Sequence, residues 1–74
     1  MLGVVQFFNR WDGFSQILGT DHRLYWTHRK ELSGCSELTT GCRVEFDVLE
    51  HARGLRAIRV RLAAAPPSAV DHQR

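Results

Sequence analysis

Gly13-Phe14-Ser15-Gln16-Ile17-Leu18-Gly19-Thr20-Asp21-His22-Arg23-Leu24-Tyr25-Trp26-Thr27-His28 is the stretch from which the fold is read. Two runs rich in aromatic and branched residues, Phe14 to Leu18 and Arg23 to His28, flank the turn-forming segment Gly19 to His22. That pattern predicts two short strands joined by a tight connection. Successive side chains on a strand point to opposite faces, so Trp26 and His28 share one face and Tyr25 takes the other.

Working outward, the same reading predicts strands over Gly3 to Phe8, Arg43 to Leu49 and Leu55 to Leu62, five in all. Asn9 to Gly13 makes the first turn, Gly34 to Gly41 a longer connection, and Gly54 closes the loop before the last strand. In the fourth strand Val44, Phe46 and Val48 alternate with Glu45, Asp47 and Leu49, the in/out pattern of a half-buried strand, and Ile58, Val60 and Leu62 repeat it in the fifth. From Ala63 onward the composition shifts to Ala, Pro and polar residues, and Pro66-Pro67 opposes a continued strand or helix. The expected organisation is a barrel domain over residues 1–62 and a disordered tail over 63–74.

Seventy-four residues suffice for one small domain without a large active-site cavity. Ten basic against eight acidic residues give a net charge of +2, which neither demands nor excludes a polyanionic partner. Cys35 and Cys42 are too few for a disulfide scaffold and read as reduced thiols, which points to the cytoplasm. The apolar opening Leu2 to Phe8 ends at Asn9-Arg10, too short for a signal-peptide core or a membrane span. An open five-stranded sheet of this size would expose its edges, whereas a Greek-key barrel closes most of them. The predicted fold is therefore all-β, a small five-stranded antiparallel barrel of the OB type.

Five short motifs follow one another along residues 1–62. They are Gly3-Val4-Val5-Gln6-Phe7-Phe8-Asn9, Asp12-Gly13-Phe14-Ser15-Gln16-Ile17, Tyr25-Trp26-Thr27-His28, Leu38-x-x-Gly41-x-x-Val44-x-Phe46 and Arg53-Gly54-Leu55-Arg56-Ala57. In order and spacing they resemble G-x-V-K-W-F-N, K-G-F-G-F-I, V-F-V-H, L-x-x-G-x-x-V-x-F and R-G-P-Q-A of the cold-shock domain family. Members of that family are five-stranded OB barrels that bind single-stranded RNA and DNA. The resemblance implies that Phe7, Phe14, Trp26 and His28 are exposed platforms for bases, each stacking ring contributing about 1–3 kcal/mol with little sequence preference.

Departures from the family pattern fall in the same motifs. Gln16 replaces the second phenylalanine, Ser15 the internal glycine, Cys35 an aromatic of the third connection, and Gln6 and Asp12 two lysines. Rings and positive charge are lost, and Asp12 would repel a phosphate. Arg29, Lys30, Arg53 and Arg56 offer compensation, since guanidinium groups both stack and pair with phosphate. Gln16 stays within the candidate interface. Trp11, in the first turn, has three readings: it extends the base platform, folds over the barrel end, or anchors a protein partner.

Ordinary roles compete for several of these residues. Phe8, Tyr25 and Phe46 sit in the inward register and read as core. His28 can cap a loop by hydrogen bonding. Arg53, Arg56, Arg59 and Arg61 form either a solvated face or a basic rim. The spacing of His22, His28, Cys35 and Cys42 lacks the close pairs of a structural zinc site, and no nucleophile is set beside Asp21-His22, so neither metal, cofactor nor catalysis is expected. Two functions remain. The first is a chaperone of single-stranded nucleic acid that modulates transcription or translation. The second is a barrel repurposed for protein contacts, with a polymerase, a ribosome or a second copy of itself as the partner.

Overall fold

The computed structural model describes residues 1–63. The strands are β1 (Leu2–Phe8), β2 (Phe14–Gly19), β3 (Leu24–His28), β4 (Leu32–Ser33), β5 (Arg43–His51) and β6 (Gly54–Leu62), with a single 3₁₀ turn at Arg29–Glu31. They are ordered β3-β2-β1-β5-β6-β4, and an additional β3–β6 pairing closes five of them into an OB-type Greek-key barrel. The expectation of an all-β five-stranded barrel holds, with two corrections. Residues 32–33, assigned to no strand by the sequence reading, pair with β6 as a two-residue strand. The barrel is also not wholly antiparallel, because β3 and β6 run parallel at Trp26 and Arg56. Five strands in a ring cannot all alternate in direction, so one neighbouring pair must be parallel. The expected tail, apart from Ala63, lies outside the described residues.

Val5, Ile17, Tyr25, Leu38, Val44, Phe46, Ala57 and Val60 form the core. Gly3 is required where β1 crosses it, because a Cβ there would lie 2.6 Å from Ile17 Cγ2 and 2.8 Å from the Leu18 carbonyl oxygen. Leu38 is buried and pins the long connection, whose Gly41 N–H donates to the Val5 carbonyl at 2.8 Å. Cys35 and Cys42 are free thiols, half-buried against the core.

Two irregularities set which side chains face out. In β1, Val5 pairs with Ile17 but Phe7 pairs with Gln16, so Gln6 is the extra residue of a bulge. Strict alternation from Gly3 and Val5 would bury Phe7. The bulge instead turns Phe7 outward and brings Phe8, half-buried, back against the core. The buried Ser15 hydroxyl donates to the Phe7 carbonyl at 2.7 Å, supplying a partner within the irregular stretch.

In β6 the second bulge lies at Arg59–Val60, between the pairs Glu45–Arg61 and Asp47–Ile58, with Arg59 at φ 51°. It corrects the expected Ile58, Val60, Leu62 stripe: Ala57 and Val60 are buried, Ile58 is half-buried on the other side, and Leu62 is exposed. Val48 reads from the sequence as an inward residue, yet it is exposed, although its partner Ala57 lies in the core.

The β2–β3 turn carries a titration-linked contact. The Tyr25 hydroxyl donates to Asp21 Oδ2 at 2.5 Å. That bond holds the Asp21 carboxyl below its usual 3.8 and, with burial, raises the Tyr25 phenol above 10.0. A depressed acid pKa contributes stability above its unfolded value and loses it as pH falls through the folded one. Tyr25→Phe is therefore expected to lower the denaturation midpoint at pH 7, with the gap to wild type narrowing below the ordinary Asp pKa. Urea titrations at both pH values check this, and a gap independent of pH would assign the loss to packing.

Candidate nucleic-acid interface

Pairing registers build the site. Antiparallel partners lie on the same face of a sheet, so Phe7–Gln16, Gln16–Trp26 and Leu49–Arg56, joined by the parallel partner pair Trp26–Arg56, form one outward row. The row reads Leu49, Arg56, Trp26, Gln16, Phe7 across five strands. Phe7 and Trp26 are 40% and 41% exposed, and their rings meet edge to face at 5.9 Å with the half-buried Gln16 between them in the register. A second row pairs Phe14, 44% exposed, with His28, whose ring centroid lies 4.8 Å away at 77°. Phe7, Phe14, Trp26, His28 and Gln16 thus share one outer face, as expected.

His28 also performs the capping role. Its Nδ1 accepts the Lys30 backbone N–H at 3.1 Å, and its Nε2 lies 2.9 Å from the Asp12 carbonyl oxygen. Since a backbone N–H can only donate, Nδ1 is the acceptor and the ring hydrogen sits on Nε2. Both ring nitrogens are thereby engaged.

The cations divide. Arg56 is in the aromatic row, while Arg53 lies in the turn at the tip of the β5–β6 hairpin. Arg29 is tied to the first loop, its guanidinium donating to the Arg10 carbonyl at 2.6 Å and its backbone N–H to Gly13 O at 2.8 Å. Lys30 is exposed beside it. Arg59 bonds Asp47 at 2.6 Å and Arg61 reaches Glu45 at 3.6 Å. These pairs are solvated and screened, and they locally cancel the charge of half the arginine cluster. The 3₁₀ turn, with Arg59 and Arg61, borders a separate cleft of about 410 Å³.

Asp12 has a structural task that the sequence did not reveal. Its Oδ1 accepts the Phe14 N–H at 2.9 Å and its Oδ2 the Asn9 amide at 3.3 Å. Ser15 is buried and Cys35 packs against the core, so these two departures from the family pattern do not alter the outer face. Trp11 is 94% exposed, which removes the reading in which it folds over the barrel end.

Leu49 is the residue of this face that sequence reasoning missed. It joins the row only through the register that the β6 bulge sets, a cross-strand fact with no local signature. An aliphatic row, Val4, Leu18 and Leu24, continues the outer face beyond Gln16. It borders an open groove of about 500 Å³ lined also by Leu2, Arg43 and Glu45. Among the described residues no three His, Cys, Asp or Glu side chains gather as a metal-ligand set, and no helix is long and apolar enough to cross a membrane. No family profile matches the sequence, and no curated protein matches it at a significant level.

Proposed function

We propose that this barrel binds single-stranded RNA or DNA with low sequence preference, as cold-shock domains do, and acts in the cytoplasm by holding strands unpaired. The observation that carries the reading is the shared outward face of Phe7, Trp26, Phe14 and His28, half-exposed rings touching in pairs on three adjacent strands. Rings in that state present π-faces to any base, and Arg56, Arg29 and Lys30 stand where a backbone can be met. Low preference follows from the engaged nitrogens of His28, which leave its edge little capacity to read a base edge. A bound strand cannot re-form hairpins, so RNA-chaperone activity or modulation of transcription or translation needs no chemistry.

Fluorescence anisotropy of labelled pyrimidine-rich DNA and its RNA counterpart tests the proposal. Micromolar or tighter binding is expected, falling with salt at a log–log slope of about −2 if three cations each meet a phosphate. Folded protein that binds neither strand at low salt would overturn it. The second reading, a protein-contact module, is favoured by one observation, the exposed aliphatic row of Val4 and Leu24 with Leu18 between them. Its sign is a partner retained after nuclease treatment, or self-association that rises with concentration.

A further inference from the structure

We propose that Trp11 is a further base-stacking residue, held ready by its loop, and that Asp12 is its positioning residue; the inference rests on the single-strand reading above. An indole 94% exposed has no packing role in the barrel, yet its loop is closely braced. Asn9 Oδ1 accepts the Trp11 N–H at 2.8 Å, Gly13 N–H donates to Asn9 O at 2.8 Å, and Asn9 N–H donates to Phe14 O at 2.8 Å. Asp12 joins Asn9 to Phe14 through its two carboxylate oxygens.

The loop is also stitched to the end of the platform. Three of its carbonyls, those of Arg10, Asp12 and Gly13, are bonded by Arg29 Nη2, His28 Nε2 and the Arg29 N–H. Gly13 is needed at this seam: it has φ 80°, and a Cβ would lie 2.4 Å from Arg29 Nε. The Trp11 backbone is therefore fixed beside the Phe14–His28 pair. A loop ordered before binding loses less entropy on contact. Arg10, Arg29 and Lys30 stand exposed at this end, and a bare ring among cations suits a polyanion whose bases have π-faces. Trp11 takes the base that follows the one stacked at Phe14–His28, so its contribution requires a strand long enough to leave the sheet.

Asp12 gives the inference an unexpected consequence. By charge alone, removing this anion would improve binding to a phosphate chain. By geometry, Asp12→Ala also frees the Phe14 N–H and the Asn9 amide and releases Trp11, whereas Asp12→Asn keeps an acceptor for the Phe14 N–H and loses the charge and the long bond from the Asn9 amide.

The experiment titrates oligothymidylates of increasing length with wild type, Trp11→Ala, Asp12→Ala and Asp12→Asn, each checked for an unchanged melting temperature. On the shortest strands that bind, wild type and Trp11→Ala should match. On longer strands wild type should bind about 5- to 150-fold more tightly than Trp11→Ala. Asp12→Ala should lose most of that gain and Asp12→Asn retain it. In Trp26→Phe protein Trp11 is the sole tryptophan, and its emission should be quenched by long strands alone. Equal affinities of wild type and Trp11→Ala at every length, or unquenched emission at saturation, would overturn the role of Trp11 and leave the platform standing. Absence of any binding by wild type would remove both.

Discussion

A Phe7→Ala/Trp26→Ala protein is expected to keep its barrel and bind single strands about 30-fold to more than 10⁴-fold more weakly than wild type. The estimate takes about 1–3 kcal/mol for each ring, and the geometry says why folding survives. Both rings lie outside the core, about two-fifths exposed, on strands whose inward positions are held by Val5 in β1 and by Tyr25 and Thr27 in β3. What the double variant loses in stability is the ring-to-ring contact at 5.9 Å and part of two half-buried surfaces, about 0.5–1.5 kcal/mol for the pair beyond its area. Because the rings touch, the single substitutions should not sum to the double one, and a double-mutant cycle reads the coupling directly. Circular dichroism and anisotropy on the same samples separate the two effects. A folded double variant that binds like wild type would show that the platform is not where nucleic acid sits.

How much of this was readable from the chain depends on which residues are asked about. Phe14, Trp26 and His28 follow from simple alternation, since β2 and β3 pair without irregularity from Phe14–His28 to Leu18–Leu24. Phe7 does not follow from it. Alternation from Gly3 and Val5 puts Phe7 inside; its outward assignment rests on alternation with an inward Phe8 and on the resemblance to a family whose first motif places a ring there. The physical reason is the bulge at Gln6, which depends on what β2 offers opposite, including the Ser15 hydroxyl. The same limit governs β6, where the left-handed Arg59 shifts the phase so that Ala57 and Val60 fill the core. In the sequence Asp12, Ser15 and Cys35 look like changes to one surface, yet their side chains brace a loop, fill an interior and line a core. A motif locates a position along the chain, while the face it serves is settled by its partner strand.

The opposite outcome is expected for Phe46→Ala, which should cost about 3–5 kcal/mol and leave the barrel largely unfolded at room temperature. At roughly 0.05–0.15 kcal/mol per residue, a barrel of this length has a total stability of a few kcal/mol, so one such loss consumes most of it. Phe46 is fully buried, its ring 5.1 Å from that of Tyr25, and its edge lies 3.0 Å from where a Cβ on Gly3 would stand. Its backbone is tied at both atoms to Met1, donating to the Met1 carbonyl at 2.8 Å and accepting from the terminal amine at 2.7 Å. Removal of the ring therefore empties the point where β1, β3 and β5 meet, and the surroundings can collapse only by moving a strand. Thermal melts followed by circular dichroism provide the check, with loss of nucleic-acid binding following loss of the barrel. A cooperative melt within a few degrees of wild type would mean that the core does not close around Phe46. Set beside the Phe7 and Trp26 substitutions, the result would divide the aromatic residues of one small chain into those that hold the barrel closed and those that hold a ligand.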